Sequence, residues 1–315
     1  MSAFRRTVIR PLYSSPMPAH DTPCRTCGRP RGENIAEGTR CAACGHRQAL
    51  VLWLGCGVSA GTTALSNGVD APGAALVALV VLIVLPPALV LTILVHELAH
   101  AVIAALLGQT IVRVVVGEGR PLVRHGRRPE FVFGTVLLGN GATSVLDLRR
   151  EGYRARMCGM LLGAPAVSLG LAALVWWASA DWPRPAYAAG LTFALCNLFL
   201  AVVTLLPVPT FGGRVWSDLA TALFIARATD PELEELVVRG ARDAMAIDVD
   251  RGDIDAAIDT ARQTLDVAPT SPLAHSLLAF ALHRAGRPDE AAGVARAALA
   301  AEMNAADRAY LQQFL

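Results

Sequence analysis

The stretch V-V-L-I-V-L-P-P-A-L-V-L-T-I-L-V-H-E-L-A-H, residues 80–100, decides how the rest of the chain is read. It is apolar over a length that suits a membrane, and it ends on two histidines four residues apart. On a helix His96 and His100 share one face, and Glu97 stands one position round from His96. That is the H-E-x-x-H pattern, in which two imidazoles hold a zinc ion and the carboxylate handles the proton of a water. In a soluble helix so short a pattern arises readily by chance. In a lipid-length apolar segment, continued by A-V-I-A-A-L-L at 101–107, a carboxylate and two imidazoles are costly unless they have partners or chemistry to do. The sequence thus points to metal-assisted hydrolysis at or within a bilayer.

Composition agrees. A chain of 315 residues that is 54% hydrophobic and only 17% charged is too apolar for an ordinary soluble enzyme. The apolar residues are segregated: 49–66, 74–95, 157–178 and 186–206 each approach or reach the roughly 20 residues needed to span. The first of these is the shortest and richest in glycine and serine. No cleavable secretion signal is visible, because a cysteine module precedes any apolar run. Nine arginines fall between 108 and 156, whereas 179–185 carries only Arg184, which predicts that the arginine-rich connection is cytoplasmic. Four spans then give a multi-pass protein of the cell membrane with both termini in the cytoplasm and short outer turns at 67–73 and 179–185. Losing the weak first span would place the N-terminal module outside.

Two modules flank the membrane part. C-R-T-C-G at 24–28 and C-A-A-C-G at 41–45 form a four-thiolate pattern, with Cys24, Cys27, Cys41 and Cys44 predicted to hold a structural zinc in a small ribbon. Arginines surround the ribbon, but it lacks stacking aromatics, so nucleic acid is an unlikely partner and contact with membrane lipid the simpler use. Beyond the last span, G-D-I-D-A-A at 252 and G-R-P-D-E-A-A at 286 repeat at an interval of 34 residues, matching Asp255 to Asp289, Ala257 to Ala291 and Leu265 to Leu299. That period is the tetratricopeptide pattern of stacked helix pairs, a surface for a protein partner or a stabilising cap. The predicted organisation is 1–48 ribbon region, 49–73 accessory span and outer turn, 74–220 membrane core, and 221–315 helical repeat module.

A catalytic zinc needs a third protein ligand and an open position. The segment C-N-L-F-L-A-V-V-T-L-L-P-V-P-T-F-G-G-R-V-W-S-D-L at 196–219 supplies candidates. Together with H-E-L-A-H it resembles the site-2 protease family of intramembrane zinc metalloproteases. Members place H-E-x-x-H in the first core span and an aspartate ligand in a motif like N-x-x-P-x-P-x-x-D-G near the cytoplasmic end of the third. Here Pro207 and Pro209 are in place, Thr204 stands where asparagine is usual, and the aspartate position falls at about Gly212. Reading T-F-G-G-R-V-W as an insertion brings Asp218 onto the ligand position, with the alternative that Asp218 merely caps the next helix. Asp147 is the second candidate ligand. The segment C-G-M-L-L-G-A-P-A-V-S at 158–168 looks like the family's small-residue core span, where Gly159, Gly163, Ala164 and Ala166 would allow tight helix contact and Ser168 is an approximate match.

The resemblance covers roughly 74–220 and implies a mainly α, polytopic membrane protein with a small β hairpin at the membrane edge, formed by 111–117 and 131–138, able to receive an extended substrate. It implies a zinc metalloendopeptidase acting on a transmembrane protein substrate, with His96, His100 and Asp218 as metal ligands and Glu97 as general base; Asn197 is either a substrate contact or, equally, an interhelical hydrogen bond. Two zinc ions are expected, one catalytic and one structural. Pro86-Pro87 predicts a kink or break before the motif. The competing reading is an inactive, protease-like scaffold that has lost the third ligand and binds partner proteins.

Overall fold

The computed structural model describes residues 42–126, 128–207, 209–210, 215–300 and 305–315. Cys24, Cys27 and Cys41 lie outside these; Cys44 falls in the first turn of the first helix.

Helix α1 (Ala42–Ser66) leads through a turn at Gly68, whose φ of 82° suits glycine, into α2 (Ala71–Leu106). Asp70 caps α2 by accepting a hydrogen bond from the Gly73 N–H at 3.2 Å. The 36-residue α2 runs unbroken through Pro86 and Pro87, so the expected interruption before the motif does not occur. A spanning helix tolerates such prolines when neighbours pack around it. Gly57 of α1 lets Leu82 of α2 approach beside the proline pair: a Cβ there would meet Leu82 Cγ at 2.6 Å.

After α2 come two long strands, β1 (Thr110–His125) and β2 (Glu130–Leu146), then α3 (Tyr153–Ala178) and α4 (Arg184–Leu205). Three helical segments, Ala71–Leu106, Tyr153–Asp181 and Ala186–Leu205, are long and apolar enough to cross a membrane. Only 12%, 28% and 28% of their most apolar windows are buried within the protein, so most of that surface must be covered by something apolar. Helix α3 has arginines around its N-terminus, while Trp176, Trp177 and Trp182 are exposed at its other end, where an aromatic belt would sit. These features fit a membrane-associated helical protein. Helices α2, α3 and α4 pack on one another. At the α2–α3 contact a Cβ on Gly163 would meet Ile103 Cδ1 at 2.5 Å, so glycine sets the approach. Ala164 is fully buried, but Ala166, expected at the same contact, is exposed.

The β part is larger than the expected hairpin. Residues 113–116 pair along both edges, with 130–133 on one side and with 141–144 on the other. The second pairing, which the sequence reading did not include, brings 141–144 beside the H-E-x-x-H helix.

Helix α4 ends at Leu205, before Pro207, and the chain turns back through the two-residue strands β3 (Pro209–Thr210) and β4 (Val215–Trp216) into α5 (Asp218–Arg227). Five further helices follow: α6 (Asp230–Asp250), α7 (Ile254–Val267), α8 (Pro272–Arg284), α9 (Pro288–Leu299) and α10 (Ala305–Gln312). The 34-residue interval reappears as geometry: Gly252 before α7 and Gly286 before α9 both have positive φ, 76° and 72°, and Ala257 and Ala291 are both fully buried.

These helices share a core with the strands. Val112 and Leu146 pack with Val238, Ala241 and Met245 of α6. Ser144 donates to Asp243 at 2.9 Å, Arg128 pairs with Asp248, and Arg251 donates to the Gly126 carbonyl. The arginines of 149–156 are likewise tied: Arg149 donates to the carbonyls of Leu107 and Gly108 at the end of α2, and Arg154 to Ala228 at the end of α5.

Gly240 of α6 lies against the Val145 carbonyl so closely that a Cβ would overlap it. Gly240→Ala should therefore cost about 1–3 kcal/mol, read as a lowered unfolding midpoint of the full chain in detergent.

Candidate metal centre

His96 and His100 sit 10 and 6 residues before the end of α2, which places them roughly 9–15 Å along the axis from Leu106. Both are buried, at 3% and 5% exposure, as is Glu97 at 6%. Their rings meet edge to face, with centroids 4.8 Å apart.

Each imidazole is oriented through Nδ1. His100 Nδ1–H donates to the Met160 carbonyl at 3.0 Å, which fixes the tautomer and leaves Nε2 with its lone pair. His96 Nδ1 lies 3.0 Å from Ser168 Oγ. Both partners come from α3, so the small-residue helix anchors the histidines as well as packing beside them. The two Nε2 atoms converge on one carboxylate: His96 Nε2 is 3.2 Å from Asp218 Oδ2, and His100 Nε2 is 3.6 Å from Asp218 Oδ1.

Asp218 reaches this position because its neighbour does the capping. Ser217 is the N-cap of α5 and accepts from the Ala220 N–H at 3.1 Å, so the carboxylate of Asp218 is free to turn inward. Burial alone would push the Asp218 carboxyl up, but the two imidazoles facing it, His100 and His96, hold it below the usual carboxylate range. An anionic oxygen facing two imidazole nitrogens is the donor set that zinc prefers.

The distances test that fit. Two ligands about 2.0–2.1 Å from a tetrahedral zinc stand about 3.3 Å apart, close to the two contacts observed. The three residues form the group of candidate metal ligands among the described residues, their ligand atoms lying within 4.8 Å of one another. They would fill three positions and leave the fourth open.

Glu97 is held from the other side, by β2. Thr143 Oγ1 lies 2.8 Å from Glu97 Oε2 and 3.0 Å from the Glu97 carbonyl oxygen. Two residues earlier, Gly141 leaves room for the carboxylate: a Cβ there would overlap Oε1 and stand 2.6 Å from Cγ.

Asp147 is spent elsewhere. It accepts from Arg156 Nε at 2.6 Å, from Arg149 Nε at 3.2 Å and from Gln109 at 3.3 Å, and it is not part of the His96–His100 cluster. Burial would raise its carboxyl, but Arg156 and Arg149 hold it below the ordinary range. Asn197 is fully buried one helix away. Its amide donates to Thr92 Oγ1 at 3.1 Å and to the Phe193 carbonyl at 2.9 Å, while its Oδ1 has no partner among the described residues. The expected structural zinc rests largely on cysteines outside the described residues.

No protein-family model, no curated protein and no solved structure matches the chain.

Several site residues had no signal of their own in the sequence. Met160 contributes only a carbonyl, and Thr143 and Gly141 look like ordinary strand residues. Ser217 is legible only as the first residue of S-D-L; that it, and not the rival candidate Asp218, caps the helix is seen in the structure.

Two outcomes follow. Asp218→Ala should abolish metal uptake at the His96–His100 cluster, whereas Ser217→Ala should keep it at a cost of about 1 kcal/mol in stability, as read by metal content and denaturation. Because the Asp147 carboxyl is depressed in the folded chain, its stabilising share is complete above its unfolded pKa and fades as pH falls through the lower folded value. The stability gap between wild type and Asp147→Asn should therefore be constant from about pH 5 to 8 and close below about pH 4, as measured by denaturation at each pH.

Proposed function

We propose that this chain is a zinc-dependent intramembrane endopeptidase of the site-2 protease type, hydrolysing a peptide bond in or near a transmembrane segment of a membrane protein. The observation that carries the reading is the convergence of His96, His100 and Asp218 beside the buried Glu97, inside a helix of spanning length. A helix of that kind has no structural use for a carboxylate and two imidazoles, and the convergence supplies one.

Zinc held by these three ligands would supply Lewis acidity toward a peptide carbonyl and toward water. The remaining work falls to the chain. Glu97 accepts the proton of the attacking water and returns it to the leaving amine. Ser168 and Met160 keep the imidazoles turned toward Asp218. Surrounding apolar helices restrict bulk water, which strengthens each of these charge interactions. A transmembrane substrate hides its carbonyls in its own helix, so it must unwind before cleavage. Among the described residues, the 141–146 segment finds strand partners only in 110–116, and its other edge is where an extended substrate would add. Asn197 Oδ1 is the atom left for a substrate N–H.

In this reading the arginine-rich side of α3 faces the cytoplasm, and α1 crosses as a fourth span, so that both termini lie there. Cys24, Cys27, Cys41 and Cys44 would hold a second, structural zinc. Helices α6–α10 would be a tetratricopeptide-like surface for a protein partner, and lipid would cover α2, α3 and α4.

The test is zinc content and cleavage of a purified single-pass reporter, with helix-weakening glycines in its transmembrane segment, by the full chain in detergent. Glu97→Gln should keep the metal and lose about 10²–10⁴-fold in rate, while Asp218→Ala loses metal and cleavage together. A wild-type chain that retains the metal but cleaves nothing would favour the scaffold that binds partner proteins.

A further inference from the structure

Strand β2 reaches the site at Glu97. We propose that Thr143 is the positioning residue of Glu97, with Gly141 providing the clearance that lets the carboxylate adopt the held position. This inference rests on the protease reading and adds a role that the metal ligands do not explain.

The geometry is specific. Residues 141 and 143 are two apart on a strand, so they present the same face. On that face Thr143 Oγ1 stands 2.8 Å from Oε2, and the absent side chain of Gly141 is what Oε1 and Cγ occupy. One carboxylate oxygen is bonded and the other is bounded. The Thr143 hydroxyl has a single proton, and Glu97's own backbone carbonyl lies 3.0 Å away. That carbonyl, in mid-helix, already accepts from the helical N–H four residues on, so the carboxylate is the acceptor that most needs the proton. A carboxylate on a flexible stem in an apolar site has two free side-chain torsions beyond Cβ. Holding one oxygen removes that freedom and keeps the other in the clearance at Gly141.

The strand that does this is itself anchored. Ser144, the next residue, points to the opposite face and donates to Asp243 of α6 at 2.9 Å. Val145 is locked by its carbonyl against Gly240. Thr143 is therefore carried on a rigid support built by the C-terminal helices, which is what a positioning group requires.

The experiment uses the zinc-loaded full chain in detergent and compares Thr143→Val, Thr143→Ser and Gly141→Ala with wild type. Three quantities are read: zinc content, kcat and KM on the single-pass reporter, and the affinity of acetohydroxamate, a small chelator whose hydroxyl also bonds the glutamate. Thr143→Val should keep its zinc and its KM while kcat falls about 10–100-fold, the range expected when a reacting group is displaced by about an ångström. Acetohydroxamate should bind it about 10-fold more weakly, and Thr143→Ser should restore both. Gly141→Ala should keep the zinc and lose more activity than Thr143→Val. The proposal is overturned if Thr143→Val keeps wild-type kcat and acetohydroxamate affinity. It is equally overturned if only KM rises, which would make Thr143 a substrate contact, or if zinc is lost, which would make the hydroxyl a structural tie of the metal centre. Wild type that binds zinc and acetohydroxamate but cleaves no reporter would sink the protease reading; the acetohydroxamate comparison would still decide whether Thr143 positions Glu97.

Discussion

The structure depends on the pairing of one carboxylate with two imidazoles separated from it by more than 100 residues of chain. His96 and His100 lie in apolar surroundings where an unpartnered polar ring costs several kcal/mol, and Asp218 is an anion that cannot be buried alone. Each makes the other tolerable. To bring them together the chain must cross from α2 to α3 and α4, stop at the prolines, reverse through two short strands and start α5 with its carboxylate aimed inward. The architecture around the site is the route that makes this meeting possible. A metal ion held there would convert the mutual attraction into coordination.

The second constraint is the division of labour among the elements that surround the pair. Helix α3 supplies Met160 and Ser168 behind the histidines, and its glycines let α2 come close enough for those bonds to form. Strand β2 supplies Thr143 and the gap at Gly141 in front of Glu97. The C-terminal helices hold β2 through Ser144, Arg128 and the close approach at Gly240. The membrane part and the C-terminal helices are thus mechanically joined through the strands. A side chain facing Glu97 and one facing α6 are consecutive residues of a single strand.

How much of this was legible in the sequence differs from residue to residue. His96, Glu97 and His100 were readable because helical spacing is local: residues four apart share a face whatever the rest of the chain does. The apolar lengths of α2, α3 and α4 were readable for the same reason, as was the repeat that places Gly252 and Gly286 at equivalent turns. Asp218 was readable only as one of two candidates, with capping as the rival use. Its neighbour Ser217 resolved that rivalry by taking the cap, a contest between adjacent side chains that composition does not decide. Asp147 was the other candidate, and its three donors explain why it does not serve. The proline pair in α2 predicted a kink or a break, and the break does not occur: the helix is continuous through it, with α1 packed alongside.

The sequence by itself determined the local chemistry: which residues share the face of α2, which segments are long and apolar enough to span, and where prolines must end a helix. These depend on covalent spacing and on transfer from water, both of which act within a few turns of chain. Only the tertiary structure decided that Asp218 faces the histidines, that Thr143 and Gly141 bracket Glu97, and that Asn197 turns its amide to Thr92. Those outcomes belong to segments tens to more than 100 residues apart. Each is settled by which buried polar group finds a partner once the helices have packed, and no local pattern in the sequence encodes that competition.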